Sequence, residues 1–199
     1  GNPALKPERS FAWEVGAETD IAAFGRANFA TAGWTFFQSR VRDLINFDRS
    51  FTTLVNVDRA EIHGAELGLT LRPAAWAEAT VAWTITEATD AATDRRLARR
   101  PEHVVSVTAR IAPLPGVVVA PTVLFTGRAP DFTYADSGAG PAGPTNPAGT
   151  VVNLAASWQA FERAALFLEA RNLGNSRYEP VNGFVVPGRS VLVGTRFAL

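Results

Sequence analysis

Four arginines crowd the seven residues Asp94 to Arg100 (DRRLARR): Arg95, Arg96, Arg99 and Arg100. A guanidinium offers its N–H groups as a fork that grips phosphate or carboxylate through two parallel hydrogen bonds, so this stretch has the chemistry of an anion clasp. It reads equally as a solvated loop. Catalysis has less to work with. His63 and His103 are the only histidines, and no nearby Asp or Ser spacing assigns a triad. Cysteine is absent, which removes disulfides and thiolate ligands and suits an oxidising or extracytoplasmic compartment. No His, Asp or Glu cluster has metal-ligand spacing. Catalysis therefore finds little support: no enzyme and no resident cofactor are expected, and metal only inside a ligand.

The elements that would carry such a site are strands. With 19 basic and 19 acidic side chains in 199 residues, no net field draws nucleic acid. No run of about 18 apolar residues makes a transmembrane helix, and no charged N-terminal stretch with an apolar core makes a signal peptide. Period-two alternation, by contrast, runs almost throughout. Phe11, Trp13, Val15 and Ala17 oppose Ser10, Glu14, Gly16 and Glu18. Leu67, Leu69 and Leu71 oppose Glu66, Gly68 and Thr70; Ala79, Val81, Trp83 and Ile85 oppose Glu78, Thr80, Ala82 and Thr84. The same holds for Val105, Val107, Ala109 and Ile111, for Leu166, Leu168 and Ala170, and for Val191, Val193, Thr195, Phe197 and Leu199. Ala27 to Arg40, Val117 to Thr126 and Thr150 to Trp158 alternate less cleanly and complete a count of roughly nine strands, each near the ~10 residues that cross an outer membrane when tilted.

Connections alternate in length. Short turns fall near Asp20 to Arg26, Arg72 to Trp76, Ala112 to Gly116 and Gln159 to Arg163; long polar loops fall near Asp43 to Arg59, Glu87 to Arg100, Gly127 to Gly149 and Asn172 to Arg189. Transmembrane barrels have this asymmetry, with short periplasmic turns and longer extracellular loops. A soluble β-sandwich or a lipocalin-like barrel also alternates. Two features weigh against it. In the clean strands the apolar face carries no charge while Glu and Arg share the other face with Gly, Ser and Thr, and Gly194, Phe197 and Leu199 have the spacing of an outer-membrane C-terminal signal. The expected fold is an all-β, antiparallel up-and-down transmembrane meander with lipid against Trp13, Leu69, Trp83, Val107 and Phe197. The DRRLARR arginines then lie in an extracellular loop, where lipopolysaccharide phosphates are one partner they suit.

Six stretches in order, NPALKPERSFAWEVG, VRDLI, NVDRAEIHGAELGLTLRP, LARRPEH, ARNLGNSRY and VPGRS, resemble the C-terminal part of TonB-dependent outer-membrane receptors, most of all the cobalamin receptor type. The resemblance implies that residues 1–199 are about nine strands, the fourteenth to the twenty-second, of a 22-stranded plugged barrel. Plug, TonB box, signal peptide and earlier strands are expected outside them. It further implies the bacterial outer membrane and ligand-gated, energy-coupled import of cobalamin or a ferric siderophore with a TonB-type partner. The alternative is a passive pore or an adhesion barrel. The resemblance assigns ligand contact to Arg99 and, through looser alignment, to Tyr134 and Phe184. The Gly- and Pro-rich stretch Asp136 to Gly149 is expected to be mobile before ligand arrives.

Overall fold

The computed structural model describes residues 2–47, 52–91, 93–131 and 144–197; Leu199, Tyr134 and most of the stretch from Asp136 to Gly149 lie outside them. Among the described residues twelve strands form in chain order: β1 (Arg9–Ala23), β2 (Arg26–Phe47), β3 (Leu54–Ala74), β4 (Ala77–Asp90), β5 (Arg95–Arg96), β6 (His103–Ile111), β7 (Val117–Thr126), β8 (Ala129–Pro130), β9 (Thr145–Asn146), β10 (Gly149–Phe161), β11 (Ala164–Arg171) and β12 (Ser190–Phe197). Nine of them make one antiparallel meander, β1-β2-β3-β4-β6-β7-β10-β11-β12, as the alternation predicts. The short β5 folds back on β4, and β8 pairs β9 in a separate ribbon. Among the described residues β1 and β12 each have one neighbour, so the sheet ends in two edges.

Turn chemistry sets the short end. Phe24 and Gly25 both have positive φ (53° and 72°), the backbone of a two-residue hairpin whose twist matches the strands it joins. Ala75 with Trp76, and Glu162 with Arg163, make the other two-residue connections. Pro121 leaves a mark inside the sheet. It pairs with Leu154 of β10, but the β6–β7 ladder skips from Thr108↔Thr122 to Ile111↔Val119, because proline has no N–H to give to β6.

Register assigns every side chain a face. Counting by twos from Phe11 to Ile21, Ala30 to Phe36, Ala65 to Leu71 and Ala77 to Ile85, and likewise through β6 to β12, gives one face without an Asp, Glu, Lys or Arg across all nine strands. An Arg or Lys on that face at mid-membrane costs ~2–4 kcal/mol, so an uncharged band is what hydrocarbon selects. Its large side chains are open: Trp13 is 43% exposed and Phe197 70%, and Leu69 and Trp83 are exposed beside them. Among the described residues no large side chain is fully buried, so the five residues expected against lipid do not close into a core.

The opposite face is mixed. Glu14, Glu18, Glu66, Glu78, Arg110 and Arg196 share it with glycine and threonine. Two of its glycines sit under aromatic rings from the next strand. Phe37 lies over Gly64, and Phe167 over Gly194, each directly opposite in register, so a Cβ on either glycine would run into the ring.

The long end departs furthest from expectation in its first loop. Asp43 to Arg59, expected as a polar loop, is mostly strand: β2 and β3 run 22 and 21 residues and stay paired out to Phe47↔Leu54. Period two persists while the exposed face changes from apolar to charged, so the hairpin leaves the apolar band without ending.

Candidate functional site

The long-loop end brings together segments far apart in sequence around one carboxylate. Asp131 follows β8, and its side chain is 0% exposed. Its Oδ1 accepts from Arg99 Nε at 2.9 Å. Its Oδ2 accepts from Asn146 Nδ2 at 2.8 Å and from the Asn182 backbone N–H at 2.7 Å. Asn146 also donates to the Pro180 carbonyl at 3.0 Å. The β5–β6 connection, the β8–β9 ribbon and the 172–189 loop therefore share a single buried acceptor.

Local backbone aims Arg99 at it. Leu97 N–H donates to the Ala88 carbonyl and Arg99 N–H to the Pro130 carbonyl, at 2.8 and 2.7 Å, while Arg99 takes a positive φ of 60°. Arg96 is held separately by Glu102, 3.1 Å away, and Arg100 donates to the Arg99 carbonyl at 3.3 Å. At least two of the four DRRLARR guanidiniums are thus engaged with carboxylates of the chain itself.

The 172–189 loop folds on its own asparagines. Asn172, 3% exposed, takes the Ser176 N–H on its Oδ1 and donates through Nδ2 to the Ser176 and Pro187 carbonyls. Asn175 Oδ1 accepts the Arg189 N–H. Tyr178, 8% exposed, lays its ring on Gly149, where a Cβ would collide with it. The ARNLGNSRY stretch is thereby explained as loop architecture. Beyond it a tight turn closes with Phe184 N–H on the Val181 carbonyl at 2.9 Å and Gly183 N–H on Glu179 Oε2 at 2.8 Å.

Of the three residues assigned to ligand contact, two lie among the described residues at the long-loop end. Arg99 touches Asp131 directly, and Phe184, 70% exposed at the turn tip, stands two positions after Asn182, which touches the same carboxylate. Tyr134 lies outside the described residues. Asp131, Asn146 and Asn182 carry no sequence signal that singles them out, because irregular loops have no period. Both histidines lie on the outward face at the long-loop end, with His63 Nε2 3.2 Å from Glu87 Oε2 and Trp83 Nε1 donating to His103 Nδ1 at 3.4 Å. Among the described residues no group of three or more His, Asp or Glu is placed to hold a metal, and no helix is long and apolar enough to cross a membrane.

A meander with a charge-free outer band, a mixed inner face, short turns at one end and laced loops at the other is the wall of an outer-membrane β-barrel. The family model "TonB dependent receptor-like, beta-barrel" matches residues 1–173, and the chain belongs to that family, whose members are outer-membrane receptors and transporters and not enzymes. The cobalamin type within it is not singled out. A comparison with curated proteins finds no match. Among solved structures the chain is similar to the copper transporter OprC (18% identity, TM-score 0.78, 99% of this chain and 32% of that one). It is similar also to the pyoverdine receptor FpvA of Pseudomonas aeruginosa PAO1, solved with pyoverdine bound (13%, 0.76, 98% and 30%). A mutant of the ferric enterobactin receptor PfeA of Pseudomonas aeruginosa is a third (18%, 0.77, 98% and 31%). The chain thus spans about a third of the length of these structures.

Proposed function

We propose that this chain is the C-terminal nine strands of a 22-stranded, plugged barrel that imports a scarce, bulky nutrient by ligand-gated, energy-coupled transport. The observation that carries the reading is the contrast between the two ends of the wall: turns of two to five residues at one, and at the other three loop segments tied to Asp131. A passive pore needs no such tie. A receptor that must present loop side chains to a ligand in fixed geometry does, since ordering them beforehand removes an entropic cost of binding.

A ferric siderophore is the favoured ligand class, ahead of cobalamin. Receptors for pyoverdine, ferric enterobactin and ferric yersiniabactin are among the structures similar to this chain, and they support that preference. Arg99, Tyr134 and Phe184 are the proposed ligand contacts, the aromatic rings for stacking and Arg99 for an anionic group. Binding shifts the loops and plug toward a closed state, and a TonB-type periplasmic protein then supplies the work of moving the plug. Uptake of labelled ferric siderophore and labelled cobalamin by cells making the full-length receptor tests this. Saturable, energy-dependent uptake of the siderophore, weakened by Arg99→Ala, is expected. Uptake that survives loss of the membrane energy source overturns the importer, cobalamin uptake alone overturns the ligand class, and unchanged affinity in Arg99→Ala removes Arg99 from the site.

A further inference from the structure

We propose that Arg9, Arg42 and Arg59 form a binding row for the phosphate groups of lipopolysaccharide in the outer leaflet. The proposal rests on the placement of this wall in the outer membrane. Arg9 is directly opposite Arg42 across β1 and β2, and Arg42 directly opposite Arg59 across β2 and β3. Counting by twos, Arg9 shares a face with Phe11 and Trp13, Arg42 with Phe36 and Trp34, and Arg59 with Leu67 and Leu69, so all three are on the lipid side. All three are exposed.

Strands lie about 4.8 Å apart, which sets the three Cα atoms along a line roughly 10 Å long. Trp13 is four positions after Arg9. At ~3.3 Å per residue and a ~45° tilt, the row stands about 9 Å above that indole, at headgroup depth.

The rows beneath it are compensated. Moving toward the apolar band, the next row is Phe11, Arg40 and Glu61, with Arg40 Nε 3.3 Å from Glu61 Oε1. Below that come Gln38, His63 and Glu87, with His63 on Glu87. The top row has no such partner: none of Arg9, Arg42 or Arg59 has a carboxylate within ion-pair distance among the described residues. Like charges directly opposite each other across a strand pair destabilise it, and here three are stacked across two pairs. An anion shared between them removes that cost. Guanidinium forks suit phosphate oxygens bidentately, and the phosphates fixed at this height on the lipid side are those of the outer-leaflet lipopolysaccharide. The arginine-rich Asp94 to Arg100 stretch is less free for this partner, since Arg96 and Arg99 already hold Glu102 and Asp131.

The test uses the full-length receptor with Arg9, Arg42 and Arg59 all changed to Gln, the same three changed to Lys, and Arg110→Gln as a control on the inner face. Lipopolysaccharide retained per receptor after detergent extraction is expected to fall about tenfold in the Gln triple, less in the Lys triple, and not in Arg110→Gln. The parent in vesicles of neutral phospholipid is expected to gain thermal stability from added bisphosphorylated lipid A, and to gain none from dephosphorylated lipid A or inorganic phosphate. Equal retention by parent and Gln triple overturns the proposal, as does equal stabilisation by dephosphorylated lipid A or by free phosphate. Should the Gln triple fail to insert, the Lys triple and the lipid A comparison on the parent still decide. Siderophore uptake measured on the same cells keeps failure of the lipid contact separate from failure of the importer reading.

Discussion

Replacing Asp131 with Ala should release three loop segments at once while leaving the wall intact. The carboxylate is fully buried and accepts from Arg99, Asn146 and Asn182. Removing one partner of a buried, hydrogen-bonded ion pair costs ~3–5 kcal/mol. Arg99 is 36% exposed, so water recovers part of its loss, whereas the Asn182 N–H loses its acceptor outright. About 2–4 kcal/mol of loop docking is therefore at stake, which is roughly 30- to 700-fold in local opening at 1.4 kcal/mol per decade. Hydrogen exchange read by mass spectrometry on the full-length receptor is the assay. Amides of residues 97–102, 144–147 and 178–186 should lose protection by that factor, and those flanking Val107 in β6 should not change. Asp131→Asn, which keeps the shape and one acceptor oxygen, should lie between. Unchanged protection at Arg99 and Asn182 in Asp131→Ala would refute the view that this carboxylate is the tie.

The remaining predictions concern the wall. Gly64→Val should destabilise the full-length barrel by ~1–3 kcal/mol, because the new side chain meets the Ile85 carbonyl and the Phe37 ring, while Gly68→Val, with open space at its Cβ, should cost much less; equal shifts in the unfolding temperature of the two in detergent would contradict the assigned ring packing. Arg40→Ala should change stability by no more than ~1 kcal/mol, since its pair with Glu61 is exposed, and a larger loss in the same melt would mean the pair is shielded. Residues 1–199 alone should aggregate or stay unfolded in bilayers, because edges β1 and β12 expose unpaired backbone groups that hydrocarbon does not tolerate; a monomeric, pore-forming preparation of that piece would contradict this.

The nine-strand meander is legible in the sequence because lipid imposes the simplest of codes, apolar on alternate residues, and four of the connections are too short to hide a change of register. The β2–β3 hairpin escapes that reading where the code changes its chemistry but not its period: Arg40, Arg42, Glu61 and His63 continue the outward face beyond the apolar band and still pair. Composition says loop there, while alternation still says strand. The Asp131 tie is illegible for a different reason. Arg99, Asn146 and Asn182 lie 32, 15 and 51 positions away from it, and nothing local marks a residue whose role is to accept from distant donors. The cluster Arg95 to Arg100 stands out by charge density, yet charge density does not tell which guanidiniums the chain already occupies.

The central claim is that the charge-free face meets hydrocarbon, and spin labels placed in turn at Ser106, Val107 and Thr108 of the full-length receptor in bilayers test it most directly. The account predicts that the label at Val107 collides readily with oxygen and little with a water-soluble nickel chelate, and that labels at Ser106 and Thr108 show the lower oxygen-to-nickel ratio of a face turned from lipid. Three labels with the same accessibility, or a Val107 label shielded from oxygen as in a packed protein core, would contradict it.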